Sequence, residues 1–131
     1  MRKFCTGSHS RYDLKYHLVW TTKLRKPVLR GDIRVRLREL VREICSSYDV
    51  KILEGAIGSD HVHLLITCSL KVHLNNFIRE IKRKTAIELF SLFPELSQHF
   101  TNNHLWSRGY FIATTGTVPD ETIKGYIRDQ A

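Results

Sequence analysis

Stretches with strand-like alternation and stretches with helical periodicity follow one another in this chain, and their order restricts what it can fold into. Side chains of a strand alternate between two faces, whereas those of an amphipathic helix recur every three or four residues. The predicted strands are residues 12–22, 50–57, 61–68 and 105–115, and the predicted helices are residues 32–48 and 72–93. The order β-α-β-β-α-β is that of an α+β fold of the ferredoxin-like or RRM-like type, an antiparallel sheet with both helices on one face.

Turn and cap residues set the ends of these elements. Asp32 can cap the first helix, Pro94 ends the second, and the turn at residues 58–60 predicts a hairpin between the second and third strands. A last, short helix is expected to end near Gln130. No repeat, low-complexity tract or linker interrupts the sequence, so we expect one domain over residues 1–131. The sheet face away from the helices is expected to be open.

The distribution of charge favours a polyanionic partner. Lys and Arg number 21 against 13 Asp and Glu, a net charge of +8. Residues 1–48 carry 12 basic and 4 acidic side chains, whereas residues 49–131 carry 9 of each. A basic half beside a neutral half is typical of a nucleic-acid-binding surface, although a merely basic soluble protein has the same composition.

Composition also excludes several classes of protein. No stretch approaches the roughly 18 consecutive apolar residues of a membrane span. The three cysteines, Cys5, Cys45 and Cys68, are too few and too scattered for a disulfide framework or a thiolate zinc site. We therefore expect a protein of the reducing cytoplasm.

Two histidines in the third predicted strand are candidates for metal binding. His61 and His63 are two residues apart, so their side chains project from the same face at a separation of ~7 Å, given ~3.3 Å per residue. Two imidazoles at that spacing can bind one divalent ion, but two surface histidines on a polar face would give the same pattern. Asp60 could orient a metal-bound histidine, although the sequence favours a simple turn residue there.

A tyrosine and a glutamine share one face of the last predicted helix. Tyr126 and Gln130 are four residues apart, the spacing of neighbours on a helix surface. A tyrosine is a workable nucleophile toward phosphate, but its pKa of about 10 requires help with deprotonation near neutral pH. The oxygen of Gln130 could complete a site with two histidines. Taken alone, the pair is more typical of a packed tyrosine ring beside a solvated amide, because pairs at this spacing are common.

The order of four motifs resembles one known family. These motifs are H-V-H-L-L at 61–65, K-R-K-T at 82–85, W-S-R-G-Y-F at 106–111 and G-Y-I-R-D-Q at 125–130. Their order and spacing are similar to those of the insertion-sequence-200/605 family of transposases, single-tyrosine HUH enzymes that move one DNA strand. The resemblance extends from residue 12 to residue 130, essentially the whole chain.

The resemblance implies a site and a mechanism. His61, His63 and Gln130 would bind Mg²⁺ or Mn²⁺, and Tyr126 would be the single nucleophile. The tyrosine would attack a phosphate of single-stranded DNA, retain the 5′-phosphate covalently and release a 3′-OH, which allows a second strand to be joined later. Members of the family act as homodimers with composite active sites, and they recognise imperfect hairpins near the ends of the element.

Basic side chains outside that site are expected to contact the DNA backbone, which supplies most of such affinity. The candidates lie on the second helix and in the loop after the first strand: Arg79, Lys82, Arg83, Lys84, Lys23, Arg25 and Lys26. Unpaired bases stack on aromatic rings. Trp106, Tyr110 and Phe111 are candidates for that role, although burial is expected for at least two of them.

Two other functions stay open at this point. A non-catalytic RRM-like module that binds single-stranded nucleic acid would use the same fold, but the third strand reads H-V-H-L-L-I and lacks the aromatic pattern of such modules. A domesticated relative of the transposase would have the same chemistry. A histidine-triad hydrolase is disfavoured because Leu65 stands where a third alternating histidine is needed.

Overall fold

The computed structural model describes residues 14–115, which contain all of the predicted core elements. They are β1 (Lys15–Thr21), α1 (Gly31–Ser47), β2 (Val50–Ile57), β3 (His61–Cys68), α2 (Leu74–Leu92) and β4 (Phe111–Thr114). The predicted order β-α-β-β-α-β and the α+β class are therefore confirmed. The predicted last helix, with Tyr126 and Gln130, lies outside the described residues.

The four strands form one antiparallel sheet in the order β2-β3-β1-β4. Trp20 lies opposite Val62 and Leu18 opposite Leu64, and all four side chains are buried in the core. Because side chains alternate along each strand, the neighbouring pair of Val19 and His63 faces the other way. The histidines thus lie on the sheet face that points away from the core.

Both helices pack on the core face of the sheet. Their inward side chains recur at helical spacing, as predicted. The buried residues are Leu37, Leu40, Val41, Ile44 and Cys45 of α1 and Phe77, Ile78, Ile81, Thr85 and Leu89 of α2. Together with the strand residues they form one continuous hydrophobic core. Neither described helix is long and apolar enough to cross a membrane.

The face opposite the helices is not open, contrary to the expectation. His63 is 3% exposed, His61 is 5% exposed and Leu65 is fully buried. Alternation in a strand predicts which residues share a face, but it carries no information on how that face is covered. We refer below to this surface, carrying His17, Glu54, His61, His63 and Leu65, as the histidine face.

The bounds of β1, α1, α2 and β4 differ from the prediction, and three of these differences have an identifiable cause. α1 begins at Gly31, so Asp32 lies in the first turn and does not cap the helix. In that position its carboxylate still interacts favourably with the positive end of the helix dipole. α2 begins at Leu74 because His73 is extended, and it ends at Leu92, just before Phe93 and Pro94.

The third difference is the late start of β4 at Phe111. Trp106 makes only an isolated bridge with Thr22, and Gly109 adopts a φ of +82° that leaves the extended conformation. The ammonium group of Lys82 donates hydrogen bonds to the carbonyl oxygens of Ser107 and Gly109, at 2.8 and 2.6 Å. These contacts hold the segment against α2, while the N–H of Ser107 donates to the carbonyl oxygen of Thr21 at the end of β1 at 2.9 Å.

Candidate metal centre

The two predicted metal ligands lie side by side at the start of β3. The ring centroids of His61 and His63 are 4.6 Å apart, with the ring planes nearly perpendicular. The Nε2 atom of His61 and the Nδ1 atom of His63 are buried and have no hydrogen-bond partner among residues 14–115. Buried polar atoms are rarely left in this state, so these two nitrogens are available for another ligand. The shared face that the sequence predicted for them is confirmed.

Asp60 fixes the orientation of His61. The Nδ1–H group of His61 donates to the carboxylate of Asp60 at 2.6 Å, which leaves the lone pair on Nε2. Burial acts to raise the pKa of Asp60, but hydrogen bonds from His61 and Arg25 outweigh it and hold that pKa below its usual value. Asp60 is therefore ionised at neutral pH and acts as an acceptor. The interpretation of Asp60 as a turn residue alone was wrong, because it also orients the histidine.

Gly58 leaves the space that the His61 ring occupies. A Cβ atom at Gly58 would lie 2.5 Å from Nε2 of His61 and closer still to Cε1. The φ angle of Gly58 is not in the left-handed region, so the requirement for glycine here is one of space and not of backbone conformation. The backbone N–H of Gly58 also donates to the carbonyl oxygen of His61 at 2.9 Å. The hairpin turn and the imidazole are thus packed as one unit.

Burial keeps His63 in the form that can bind a metal. Loss of hydration is the main cause that lowers the pKa of His63 to about 4. The positive charge of Arg25, and that of His61 or His17 when protonated, lowers this pKa further. At neutral pH His63 is therefore a neutral imidazole with a lone pair on one nitrogen. Burial also lowers the pKa of His17 from its ordinary value.

The lowered pKa of His63 makes the stability of the metal-free protein depend on pH. In the unfolded chain His63 takes up a proton below about pH 6.5, whereas in the folded chain it stays neutral down to about pH 4. The unfolded state binds more protons in this window. The contribution of His63 to the free energy of unfolding is therefore greatest above pH 6.5, and it decreases by about 3 kcal/mol as the pH drops toward 4. Urea unfolding of the metal-free protein at several pH values measures this loss. The His63→Gln variant should lose less over the same window, and an equally steep loss in that variant would assign the effect to other groups.

Two further residues of the histidine face were not selected from the sequence. The rings of His17 and His63 are stacked with centroids 5.9 Å apart. Glu54 pairs with Leu65 across β2 and β3, and one of its carboxylate oxygens is buried and has no hydrogen-bond partner within the described segment. The alternation in β1 placed His17 among its polar positions, but only the register with β3 shows that it lies next to His63.

The donor set fits a divalent cation but is incomplete within residues 14–115. Two neighbouring imidazoles are typical ligands of divalent metals. Among the described residues, no three His, Cys, Asp or Glu side chains are grouped so that they could hold a metal ion. The predicted third ligand, Gln130, and the predicted nucleophile, Tyr126, lie outside those residues. What the described part provides is a rigid, buried pair of donors.

The basic residues predicted to contact DNA differ in how firmly they are engaged. Lys82 is held by the two carbonyl groups described above, and Arg83 pairs with Glu80 at 2.7 Å. Lys26 donates to the carbonyl oxygen of His99 and lies over the ring of Phe100, and Arg25 pairs with Asp60. Lys84 lies over the ring of Tyr48 with its nitrogen 5.2 Å from the centroid. Lys23 and Arg79 have exposed side chains.

A cavity of about 380 Å³ lies beside Arg79. It is lined by Asn75, Ile78, Arg79, Lys82, Gly109 and Tyr110.

The three aromatic residues predicted to stack on bases differ in exposure. Tyr110 and Phe111 are exposed by 40% and 55%, whereas Trp106 is buried and donates from its ring nitrogen to the hydroxyl of Thr85 at 3.0 Å. The expectation that at least two of these three aromatics are buried was wrong, because Tyr110 and Phe111 lie at the start of the edge strand β4, where, among the described aromatic rings, only that of His17 packs beside that of Phe111.

Comparison with known proteins supports the resemblance. The family model described as "Transposase IS200 like" matches residues 10–130. The transposase for insertion sequence element IS200 of Salmonella typhimurium is 31% identical over 123 residues, which are 94% of this chain and 80% of that protein. The ISDra2 transposase TnpA of Deinococcus radiodurans is 29% identical over 119 residues, 91% of this chain and 85% of that protein.

Two solved structures of transposases have the same fold as this chain. A crystal structure of a Deinococcus radiodurans R1 chain assigned as a transposase superposes with a TM-score of 0.79 at 30% identity, covering 99% of this chain and 98% of that one. A REP-associated tyrosine transposase, solved bound to a REP hairpin, shares the fold with a TM-score of 0.62 at 11% identity, over 97% of this chain and 67% of that one. The chain described here therefore belongs to the IS200/IS605 family, and it is a transposase.

Proposed function

We propose that this transposase cleaves and rejoins single-stranded DNA at the hairpin-marked ends of an insertion sequence. The reaction is a metal-assisted transesterification through a 5′-phosphotyrosine intermediate. Tyr126 is the nucleophile, and His61, His63 and Gln130 hold Mg²⁺ or Mn²⁺. The observation that supports this most directly is the pair of imidazoles 4.6 Å apart, each with a buried nitrogen for which the described part of the chain offers no hydrogen-bond partner.

The chemistry conserves phosphodiester bonds. The phenolate of Tyr126 attacks the scissile phosphorus, the bond from phosphorus to the 3′ oxygen breaks, and the 5′-phosphate stays on the tyrosine. A 3′-OH of the strand to be joined then attacks the same phosphorus and releases the tyrosine. Each step exchanges one ester for another, so no nucleotide hydrolysis is needed.

The residues of the chain prepare the site for this exchange. A divalent cation held by His61, His63 and Gln130 would supply Lewis-acid stabilisation of the charge that develops on the scissile phosphate. An imidazole binds a metal in its neutral form, so His61 and His63 would leave the double charge of the cation undiminished. Asp60 holds the ring of His61, and Gly58 provides the space for it. The geometry of the two donors is therefore set before any ligand arrives.

The DNA partner follows from charge and from family membership. We propose that the exposed cations Lys23, Arg79 and Lys84 contact backbone phosphates of the DNA. Lys82, Arg83, Lys26 and Arg25 lie near the same DNA strand, but their main role is to keep the contacts within the protein described above. The exposed rings of Tyr110 and Phe111 offer stacking surfaces for unpaired bases. We also propose that the protein acts as a homodimer with composite sites.

A covalent-trapping assay tests the proposal. The protein is incubated with single-stranded hairpin DNA from the flanks of its own gene, labelled at the 5′ or the 3′ end, with Mg²⁺, Mn²⁺ or a chelator. Denaturing gels should show a metal-dependent protein–DNA adduct that carries the 3′ label only. That polarity identifies a 5′-phosphotyrosine, whereas a 5′-labelled adduct would indicate the opposite linkage.

The same assay distinguishes the main alternative. A non-catalytic module would retard the hairpin in native gels but would give no adduct with either metal. The pair of histidines would then be structural, and the unpartnered nitrogens would need another explanation.

A further inference from the structure

Arg25 is tied to the metal centre by one intervening residue. Its Nε–H group donates to one carboxylate oxygen of Asp60 at 2.9 Å, and the other oxygen of Asp60 accepts from His61 at 2.6 Å. The carboxylate thus links a guanidinium group on one side with the imidazole on the other. No other ion pair of Asp60 is found within residues 14–115.

The backbone holds the Arg25 loop against the hairpin turn that carries Asp60. The N–H of Thr22 donates to the carbonyl oxygen of Asp60, and the N–H of Leu29 donates to that of Ser59, both at 2.9 Å. These two hydrogen bonds flank Arg25 in the sequence. They fix the distance over which its side chain must reach the carboxylate.

The loop adopts a costly conformation at this point. Leu24 has a φ of +58° and Arg25 a φ of +54°, in the left-handed region that side chains other than glycine seldom occupy. Leu24 is 78% exposed, so burial of its side chain does not compensate for this conformation. Strained backbone of this kind is typical of positions whose side chain is aimed at a functional group. Here the side chain is that of Arg25, and the group that it contacts is the carboxylate of Asp60.

We propose that Arg25 is a positioning residue for the metal centre, acting through Asp60 on His61, and that backbone phosphate is not its principal partner. This inference rests on the proposed metal-dependent function. Without the guanidinium group, the carboxylate of Asp60 can rotate, and the His61 ring loses the acceptor that directs its Nε2 atom. The role of Arg25 is distinct from that of the exposed Lys23 in the same loop.

Manganese affinity measured without DNA tests the inference independently of activity. Titration of the metal-free protein, followed by the electron paramagnetic resonance signal of free Mn²⁺, gives the dissociation constant. Arg25→Gln should raise it about two- to fivefold, as expected for an ion pair of this exposure. Asp60→Ala should raise it about 10- to 100-fold. Lys23→Gln removes the same charge from the same loop and should leave it unchanged.

The double variant gives the decisive comparison. If Arg25 acts through Asp60, Arg25→Gln has no further effect on the dissociation constant in the Asp60→Ala background, whereas independent contributions would multiply. Metal-free binding of the hairpin should be nearly the same for Arg25→Gln and the unaltered protein. Thermal unfolding confirms that each variant is folded.

Other outcomes would overturn the inference. If Arg25→Gln leaves the manganese affinity unchanged and instead weakens metal-free hairpin binding with a smaller dependence on salt, Arg25 is a phosphate contact. The proposed metal site would survive that result. If the unaltered protein does not bind Mn²⁺, or if His61→Ala binds it equally well, the proposed function and the inference both fail.

Discussion

Replacing Tyr126 by phenylalanine is expected to abolish the covalent adduct and to reduce strand cleavage by more than about 10⁴-fold, as removal of a catalytic nucleophile does in other enzymes. Phenylalanine keeps the ring but has no oxygen to attack phosphorus. Hairpin binding in native gels should change little, because the affinity comes mainly from phosphate contacts. The adduct assay with 3′-labelled DNA measures the first effect, and native gels measure the second.

Tyr110→Phe is the matched control for this variant. Tyr110 is exposed, and its hydroxyl contacts the side-chain oxygen of Asn75, so it is a second tyrosine that DNA could reach. This control should form the adduct at a rate near that of the unaltered protein. An adduct that persists in Tyr126→Phe and disappears in Tyr110→Phe would move the nucleophile to position 110.

Gly58→Ala is expected to disable the proposed metal site without removing any polar group. The new Cβ atom would occupy the position of the His61 ring, which must then swing away from Asp60 and lose the orientation of Nε2. We expect the dissociation constant for Mn²⁺ to rise by about 10- to 100-fold, the effect of losing the group that orients a ligand. The crowding should also lower the free energy of unfolding by about 1–3 kcal/mol. Manganese titration and urea unfolding measure the two effects.

Gly55→Ala separates the loss of metal affinity from general destabilisation. Its Cβ atom would lie 3.0 Å from a methyl group of Leu64, on the helix side of the sheet, so it crowds the core and not the histidine face. It should reduce stability yet keep the affinity for Mn²⁺. Equal affinities of the two alanine variants would show that the contact between Gly58 and His61 is unimportant for binding.

The core architecture was predictable because it depends on local periodicity. The alternation in β1 and β3 and the helical spacing in α1 and α2 are set by which side chains enter the core. β2 and β3 have the predicted bounds. The shared face of His61 and His63 follows from the same rule, since residues two apart in a strand point the same way.

The rest of the centre depends on contacts between segments distant in the sequence. Arg25 and Asp60 are 35 residues apart, and no periodicity predicts that they meet. To predict that His17 lies next to His63, one must know the register of β1 on β3. To predict that position 58 has no room for a side chain, one must know where the His61 ring lies.

Glu54 illustrates a further limit of pattern analysis. Ile52 lies opposite Ile66 on the core face, and strict alternation would place Glu54 on the same face. A register shift between these two residues, at Leu53, moves Glu54 opposite Leu65 and onto the histidine face. A β-bulge of this kind leaves no clear signal in the sequence. The residue next to the bulge could therefore not be assigned to either face from its spacing.

The same bulge has a consequence for how molecules of this protein meet one another at high concentration. Within the described sheet β2 is an edge strand of eight residues, whereas the other edge strand, β4, has four. A long, regular edge offers unpaired backbone groups to the strands of other chains and promotes aggregation. The bulge at Leu53 breaks that regular row near its middle, and Lys51 adds a charge beside it. The irregularity that brings Glu54 to the histidine face thus also makes β2 a poor template for unwanted strand pairing.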